Sequence, residues 1–209
     1  MAKFQRAGCR IIENLIISCT ELLFRNVKSV KFGTFSEGNN LKSLIIALVL
    51  ITHTLLPKPA YGGEDMKITS PQFKDNQLIP AEFTCDGEDI NPVLSIENIP
   101  EETKSLALIV DDPDAPVGTF VHWVVFDIPP ETSQIQQNSV PGKQGTNSTR
   151  GIYYHGPCPP SGTHRYFFKI YALDTVLNLG EGINKQQLEK AMQGHILDKS
   201  ELIGLYKRR

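Results

Sequence analysis

The chain has 209 residues, 40% of them hydrophobic and 21% charged, with 21 basic against 23 acidic side chains and four cysteines. That apolar share supports a folded core and excludes a polar disordered chain. The net charge of −2 leaves no electrostatic footprint for nonspecific nucleic-acid binding.

The texture changes along the chain. Leu44 to Leu56 (LIIALVLITHTLL) is apolar except for Thr52, His53 and Thr54; Lys42 precedes it, and Pro57 and Pro59 follow. It is shorter than the roughly 20 residues that a helix needs to cross a bilayer. A charged start, a short apolar centre and a small-residue exit predict a signal peptide over 41–62, cut after Gly62, with Ala60 and Gly62 as the small residues. An uncleaved anchor is the competing reading, and no stop-transfer charge cluster follows the run. Residues 1–40 are then an N-terminal extension that a misassigned start codon explains, with Leu41, Val27 or Val30 as alternative starts. Ile11 to Phe24 otherwise fits an amphipathic helix. On this reading the domain is 63–209, periplasmic or secreted, with no integral span after cleavage. Residues 1–62 hold eight basic and three acidic side chains, so the domain is acidic, at −7.

From residue 66 onward the chain reads as strands. Short apolar runs at Val93 to Ile96, Ser105 to Asp111, Phe120 to Ile128 and His164 to Leu173 are separated by turns rich in Pro, Gly and Asp, the pattern of an antiparallel β-sandwich. The run from Ser105 is apolar on both faces. Strict alternation puts His122 on a core face with Phe120, Val124 and Phe126, and sets His164, Tyr166, Phe168 and Ile170 opposite Arg165, Phe167, Lys169 and Tyr171. An imidazole on an apolar face needs a hydrogen-bond partner or a ligand. Pro141 to Thr163 reads as a long ordered loop, the kind that is commonly functional. It contains Asn147-Ser148-Thr149, which matches a glycosylation acceptor. Asn184 caps a helix, Gln187 follows three residues on, Leu188, Ala191 and Met192 repeat at helical spacing, and Gly194 stops it. A last strand is expected from Glu201 to Tyr206.

Cys9 and Cys19 fall in the extension, leaving Cys85 and Cys158 in the domain. Their spacing excludes a Cys-x-x-Cys motif and leaves two outcomes open, a disulfide or two separate buried thiols.

Three separated motifs carry chemistry: Asp111-Asp112-Pro113-Asp114-Ala115-Pro116, then Val121-His122-Trp123, then Cys158-Pro159-Pro160-Ser161-Gly162-Thr163-His164-Arg165-Tyr166. Taken singly, Asp112 and Asp114 cap turns, His122 is a core histidine, and Pro159-Pro160 stiffens a loop. Together with Phe83-Thr84-Cys85-Asp86-Gly87 and Gly194-His195-Ile196-Leu197, they make the chain from about Met66 onward resemble the phosphatidylethanolamine-binding protein family, in its bacterial and archaeal Raf-kinase-inhibitor-like branch. The resemblance implies a mostly β fold, a sandwich with one or two peripheral helices. It also implies that Asp112, His122, Pro159, Pro160, His164 and Tyr166 line a small anion pocket, with Asp114 and Arg165 bracing its walls. His155 stands before Gly156, where this branch often has a small residue, so the rim is expected to differ in shape.

The partners implied are a small anion, phosphate or a phosphorylated head group, and a protein such as a kinase or protease; no cofactor, metal or nucleic acid is implied. Binding is expected to strengthen as pH falls through the histidine range near about 6.5. The alternative is a small hydrolase or lyase using Asp112 with His122 or His164 as acid and base. No Gly-x-Ser-x-Gly elbow, His-Glu-x-x-His pair or phosphate-cradling glycine loop accompanies them.

Overall fold

The structure, a computed structural model, describes residues 64–208. The described residues belong to a single compact unit. The readings of the extension 1–40 and of the signal 41–62, with Leu44 to Leu56, Cys9 and Cys19, lie outside the described residues.

The described residues form nine strands and one α-helix in two sheets. The strands are β1 (Lys67–Thr69), β2 (Gln77–Leu78), β3 (Leu94–Glu97), β4 (Ser105–Asp112), β5 (Phe120–Ile128), β6 (Gln134–Ile135), β7 (Lys143–Gln144), β8 (His164–Leu173) and β9 (Ile196–Tyr206); α1 spans Lys185–Met192. One sheet has the order β1-β3-β6, the other β2-β9-β8-β4-β5-β7. All the pairings are antiparallel except β2 with β9, which is parallel.

Every residue of β4 is buried because the strand has an apolar layer on each face. On one face Leu106, Leu108 and Val110 meet Ile68, Leu94, Ile96 and Ile135 of the small sheet, along with Tyr166, Phe168 and Ile170 of β8. On the other, Ala107 and Ile109 join Val124, Phe126 and Leu173 beneath Leu188 and Met192 of α1. The helix begins in a capping box: Asn184 accepts from the Gln187 amide, and the Gln187 side chain accepts from the Asn184 amide. Such a cap is worth about 1 kcal/mol. Gly194, at φ 81°, takes the left-handed turn that leads back into β9. No helix of the described residues is long and apolar enough to cross a membrane.

Two sequence readings change. β9 begins at Ile196, before the expected Glu201, because Asp198 and Ser200 serve the neighbouring strand: their side chains accept the Met66 and Ile68 amides. Polar residues with that duty hide the strand's periodicity. Strict alternation in β5 also fails. A bulge separates the pairs Val110 with Trp123 and Asp111 with Val121, so His122 is the extra residue and turns toward the face between the sheets, where it meets Tyr166. Val124 and Phe126 lie on the helix face, not beside His122. Bulges re-aim side chains in this way next to functional sites.

Candidate functional site

Adjacency of β5, β4 and β8 in the large sheet brings the end of one strand to the starts of two others. Asp112 pairs with Phe120, and Asp111 with Phe167. Asp112, His122, His164 and Tyr166, each expected from sequence, therefore converge. All four are buried.

Their hydrogen bonds define the chemistry. His164 donates from Nδ1 to Asp112 Oδ2 at 2.7 Å, while Asp112 Oδ1 accepts the Asp114 amide at 2.8 Å. Asp112 is thus both a turn cap and the orienter of a histidine. Asp114 receives Arg165 through Nε at 2.9 Å and Nη2 at 2.7 Å, and the Arg165 amide at 3.0 Å. The side-chain hydrogen bonds from Arg165 hold the Asp114 carboxyl at about 2, against the opposing effect of burial. The carboxylate–guanidinium contact expected between these two residues is present.

His122 donates from Nδ1 to the His155 carbonyl at 2.6 Å, and the His155 amide donates to the His122 carbonyl at 3.1 Å. The two imidazoles stack 5.8 Å apart, with Phe120 at 4.8 Å and Tyr166 edge-on at 5.2 Å from His122. Burial drives the His122 imidazole down to about 4. The His155 carbonyl, Asp112 and Asp111 oppose that fall, and the His155 ring adds to it. Two buried polar atoms of the cluster, His122 Nε2 and the Tyr166 hydroxyl, have no hydrogen-bond partner. The Tyr166 phenol is pushed up by burial and by Asp112, against a weak pull from the Cys158 backbone. Native structures rarely leave such atoms unserved, and where they do a ligand or a catalytic duty is a usual reason.

The remaining wall is tied from outside. Cys85 and Cys158, whose state the sequence left open, are joined by a disulfide. Around it the Tyr154 hydroxyl donates to the Phe83 carbonyl, the Gly156 amide to Asp89 Oδ1 and the Cys85 amide to the Pro157 carbonyl. A side chain at position 156 would meet Asp89 Oδ1 at 2.5 Å and the Phe83 carbonyl at 2.7 Å, so only glycine allows this approach. Of the two prolines that follow Cys158, Pro159 is buried and Pro160 exposed. Asn147 is buried, its amide donating to the Tyr153 carbonyl and its oxygen accepting from Thr149 and Gly151. It is an internal loop clamp, with its side chain turned into the loop.

Phe120 and His155 belong to the site, although sequence reading had put His155 only at the rim. Phe120 was visible as the alternation partner of His122. His155 is joined through backbone pairing with His122 across 33 positions, for which the sequence carries no signal.

The family model for phosphatidylethanolamine-binding protein matches residues 69–207. The chain belongs to the phosphatidylethanolamine-binding protein family. Among relatives, a UPF0098 protein of Pyrococcus horikoshii is 47% identical over 182 residues, covering 81% of this chain and 91% of its own; that extent reaches into the segment before residue 64. A UPF0098 protein of Methanothermobacter thermautotrophicus is 50% identical over 151 residues, covering 68% of this chain and 99% of its own. A solved structure described as a putative phosphatidylethanolamine-binding protein homolog from Chlamydia trachomatis superposes with a TM-score of 0.68 at 42% identity, covering 69% of this chain and 99% of that one. YbcL of E. coli, described as a new member of the mammalian family, gives 0.65 at 26% identity, covering 70% and 100%. In this family member the four converging residues therefore sit on the family's fold, at the ends of its central strands.

Proposed function

We propose that this protein is an exported binding protein for a small anion, phosphate or a phosphorylated head group, held among His164, Tyr166 and His122. The observation that carries the reading is the pair of buried, unpartnered polar atoms, Tyr166 hydroxyl and His122 Nε2, beside a histidine held in one orientation by Asp112. Tyr166 donates a hydrogen bond to an anion oxygen. His164, once protonated, adds a charged donor from Nε2 while Asp112 balances it. A binding duty for a protein partner, a kinase or protease, is the regulatory form of this reading, with a phosphorylated or carboxylate-bearing side chain as the group recognised.

Export rests on the 41–62 segment, with the mature chain starting near Gly63. The Asp112–His164 dyad also supports acid–base catalysis by a hydrolase or lyase as the second reading. Calorimetric titration of the purified protein with phosphate and with phosphoethanolamine tests the binding reading. His164→Ala should weaken binding by about tenfold to a hundredfold, the scale of a hydrogen bond to a charged group. Equal affinity in the variant and the parent would sink it. Turnover of a phosphoester at a rate that His164→Ala abolishes would move the protein to the catalytic reading. N-terminal sequencing of the native protein checks export: a mature start far upstream of Gly63 would remove that part.

A further inference from the structure

We propose that His122 serves the pocket as a hydrogen-bond acceptor, so that the site takes a tetrahedral oxyanion still carrying a proton and rejects one that carries none. The chemical class is a singly ionised phosphate or phosphomonoester; the class excluded is sulfate. The inference rests on the anion-binding reading above and says which anion.

The argument starts from a carbonyl, which can only accept. His155 O lies 2.6 Å from His122 Nδ1, so Nδ1 carries the hydrogen. A neutral imidazole has one N–H, and Nε2 therefore presents a lone pair. Turning the ring over in its seat between Phe120, His155 and Tyr166 would set a ring carbon against the His155 carbonyl and forfeit that bond. Protonating Nε2 instead would place a charge in a ring that is 3% exposed. Asp112 on the same side of the sheet, and Asp111 from the far side, would favour that charge, and His155 on the loop would oppose it together with burial.

The rest of the site is of the opposite kind. Tyr166 is free to donate, and His164, whose Nδ1 is committed to the Asp112 carboxylate, donates from Nε2 as an imidazolium whose charge that carboxylate balances and a bound anion favours. A bare oxyanion would satisfy the donors while setting an oxygen lone pair against His122 Nε2, so a buried acceptor would stay unserved. A hydroxyl on the ligand removes the conflict: two oxygens accept from Tyr166 and His164, and the P–OH donates to His122.

Calorimetry of the purified protein at pH 5.5 tests this, below the second ionisation of a phosphomonoester near about 6. The probes are inorganic phosphate, methyl phosphate, sulfate and dimethyl phosphate. Sulfate matches phosphate in shape and dimethyl phosphate matches it in charge, and neither carries a hydroxyl. Phosphate and methyl phosphate should bind at least about tenfold more tightly than the other two. His122→Asn, whose amide can turn either its N–H₂ or its oxygen to the ligand, should bring the ratio of phosphate to sulfate affinity close to one, with a ligand-free melt confirming the fold. Sulfate binding as tightly as phosphate, or a ratio unchanged in His122→Asn, would overturn the acceptor role and leave the anion site standing. Failure of all four probes to bind would remove the anion reading itself.

Discussion

Asp111 and Asp112 are consecutive in β4 and almost fully buried, at 0% and 3% exposure, yet they face opposite sides of the large sheet and live in different chemistry. Asp111 turns to the helix side, where Lys169 Nζ reaches both its oxygens at 2.8 and 3.0 Å and Lys185 Nζ reaches one at 2.6 Å. Both lysines come from packed elements, β8 and the first turn of α1. Asp112 turns to the other side and meets one histidine, in a cluster where a second histidine and a tyrosine keep unpartnered atoms. A buried carboxylate with its charge met twice over is a structural knot. The same group beside unserved donors and acceptors marks a place built for something else. Changes on the helix side should therefore cost folding stability, and changes among the site side chains should cost binding.

The largest expected effect tests the covalent tie on the site side. The Cys85–Cys158 disulfide closes a loop of 73 residues, for which chain entropy gives about 4 kcal/mol. The double variant Cys85→Ser, Cys158→Ser should lose that much in urea denaturation and should bind anion more weakly, because Cys158 leads directly into Pro159. A loss below about 1 kcal/mol would show that the hydrogen bonds of Tyr154, Gly156 and Cys85 hold the wall without the bridge.

Next comes Asp111→Ala. Removing one side of a buried ion pair costs about 3–5 kcal/mol. Here the lysine side chains keep 26% and 21% exposure and can swing outward, so about 3 is expected, with anion affinity unchanged when measured below the melting point. An affinity loss as large as that of His164→Ala would erase the distinction between the two faces.

Acid reads the site side more gently. With His122 held near 4 by burial against an unfolded value near about 6.5, the unfolded chain binds more protons between those values. Stability is then complete above about 6.5 and falls as pH drops through 4, a loss of about 2 kcal/mol by pH 5. His122→Asn cannot titrate and should show a correspondingly flatter stability profile between pH 7 and 5. Parallel profiles for the two proteins would mean that His122 takes up its proton equally readily in the folded and unfolded chain.

How far the sequence carried this picture depends on element length and regularity. The bounds of β5 and β8 were legible because runs of nine and ten mostly apolar positions between turns are long enough to stand out, and in β8 the two-residue period holds throughout. α1 was legible from Asn184 and Gln187, since a capping box is a local device. Strands β1, β2, β6 and β7, of two or three residues, are too short to have a period and exist only through their partners. The site was half legible for the same reason. Asp112, His122, His164 and Tyr166 lie at strand ends where alternation and motif agree, but the bulge that turns His122 from the helix face depends on register with β4, a property of two strands that neither displays alone. The His155 carbonyl that sets the His122 tautomer is backbone, and no residue type announces it.

The smallest stability effect belongs to Tyr166→Phe, and its smallness is the point. The hydroxyl is buried without a hydrogen bond, so the folded protein carries its desolvation with nothing in return. Removing it should leave stability unchanged or raise it by up to about 1 kcal/mol, unlike the loss usual when a bonded buried tyrosine hydroxyl is deleted. The ring stays, and with it the edge contact to His122 and the packing beneath Phe168. Anion affinity should nevertheless fall by about tenfold, since a donor to a charged ligand is lost. Urea melts and phosphate titrations on the same two samples decide the matter. A marked loss of stability with affinity intact would show that the hydroxyl serves the fold, and Tyr166 would then join Asp111 among the structural groups.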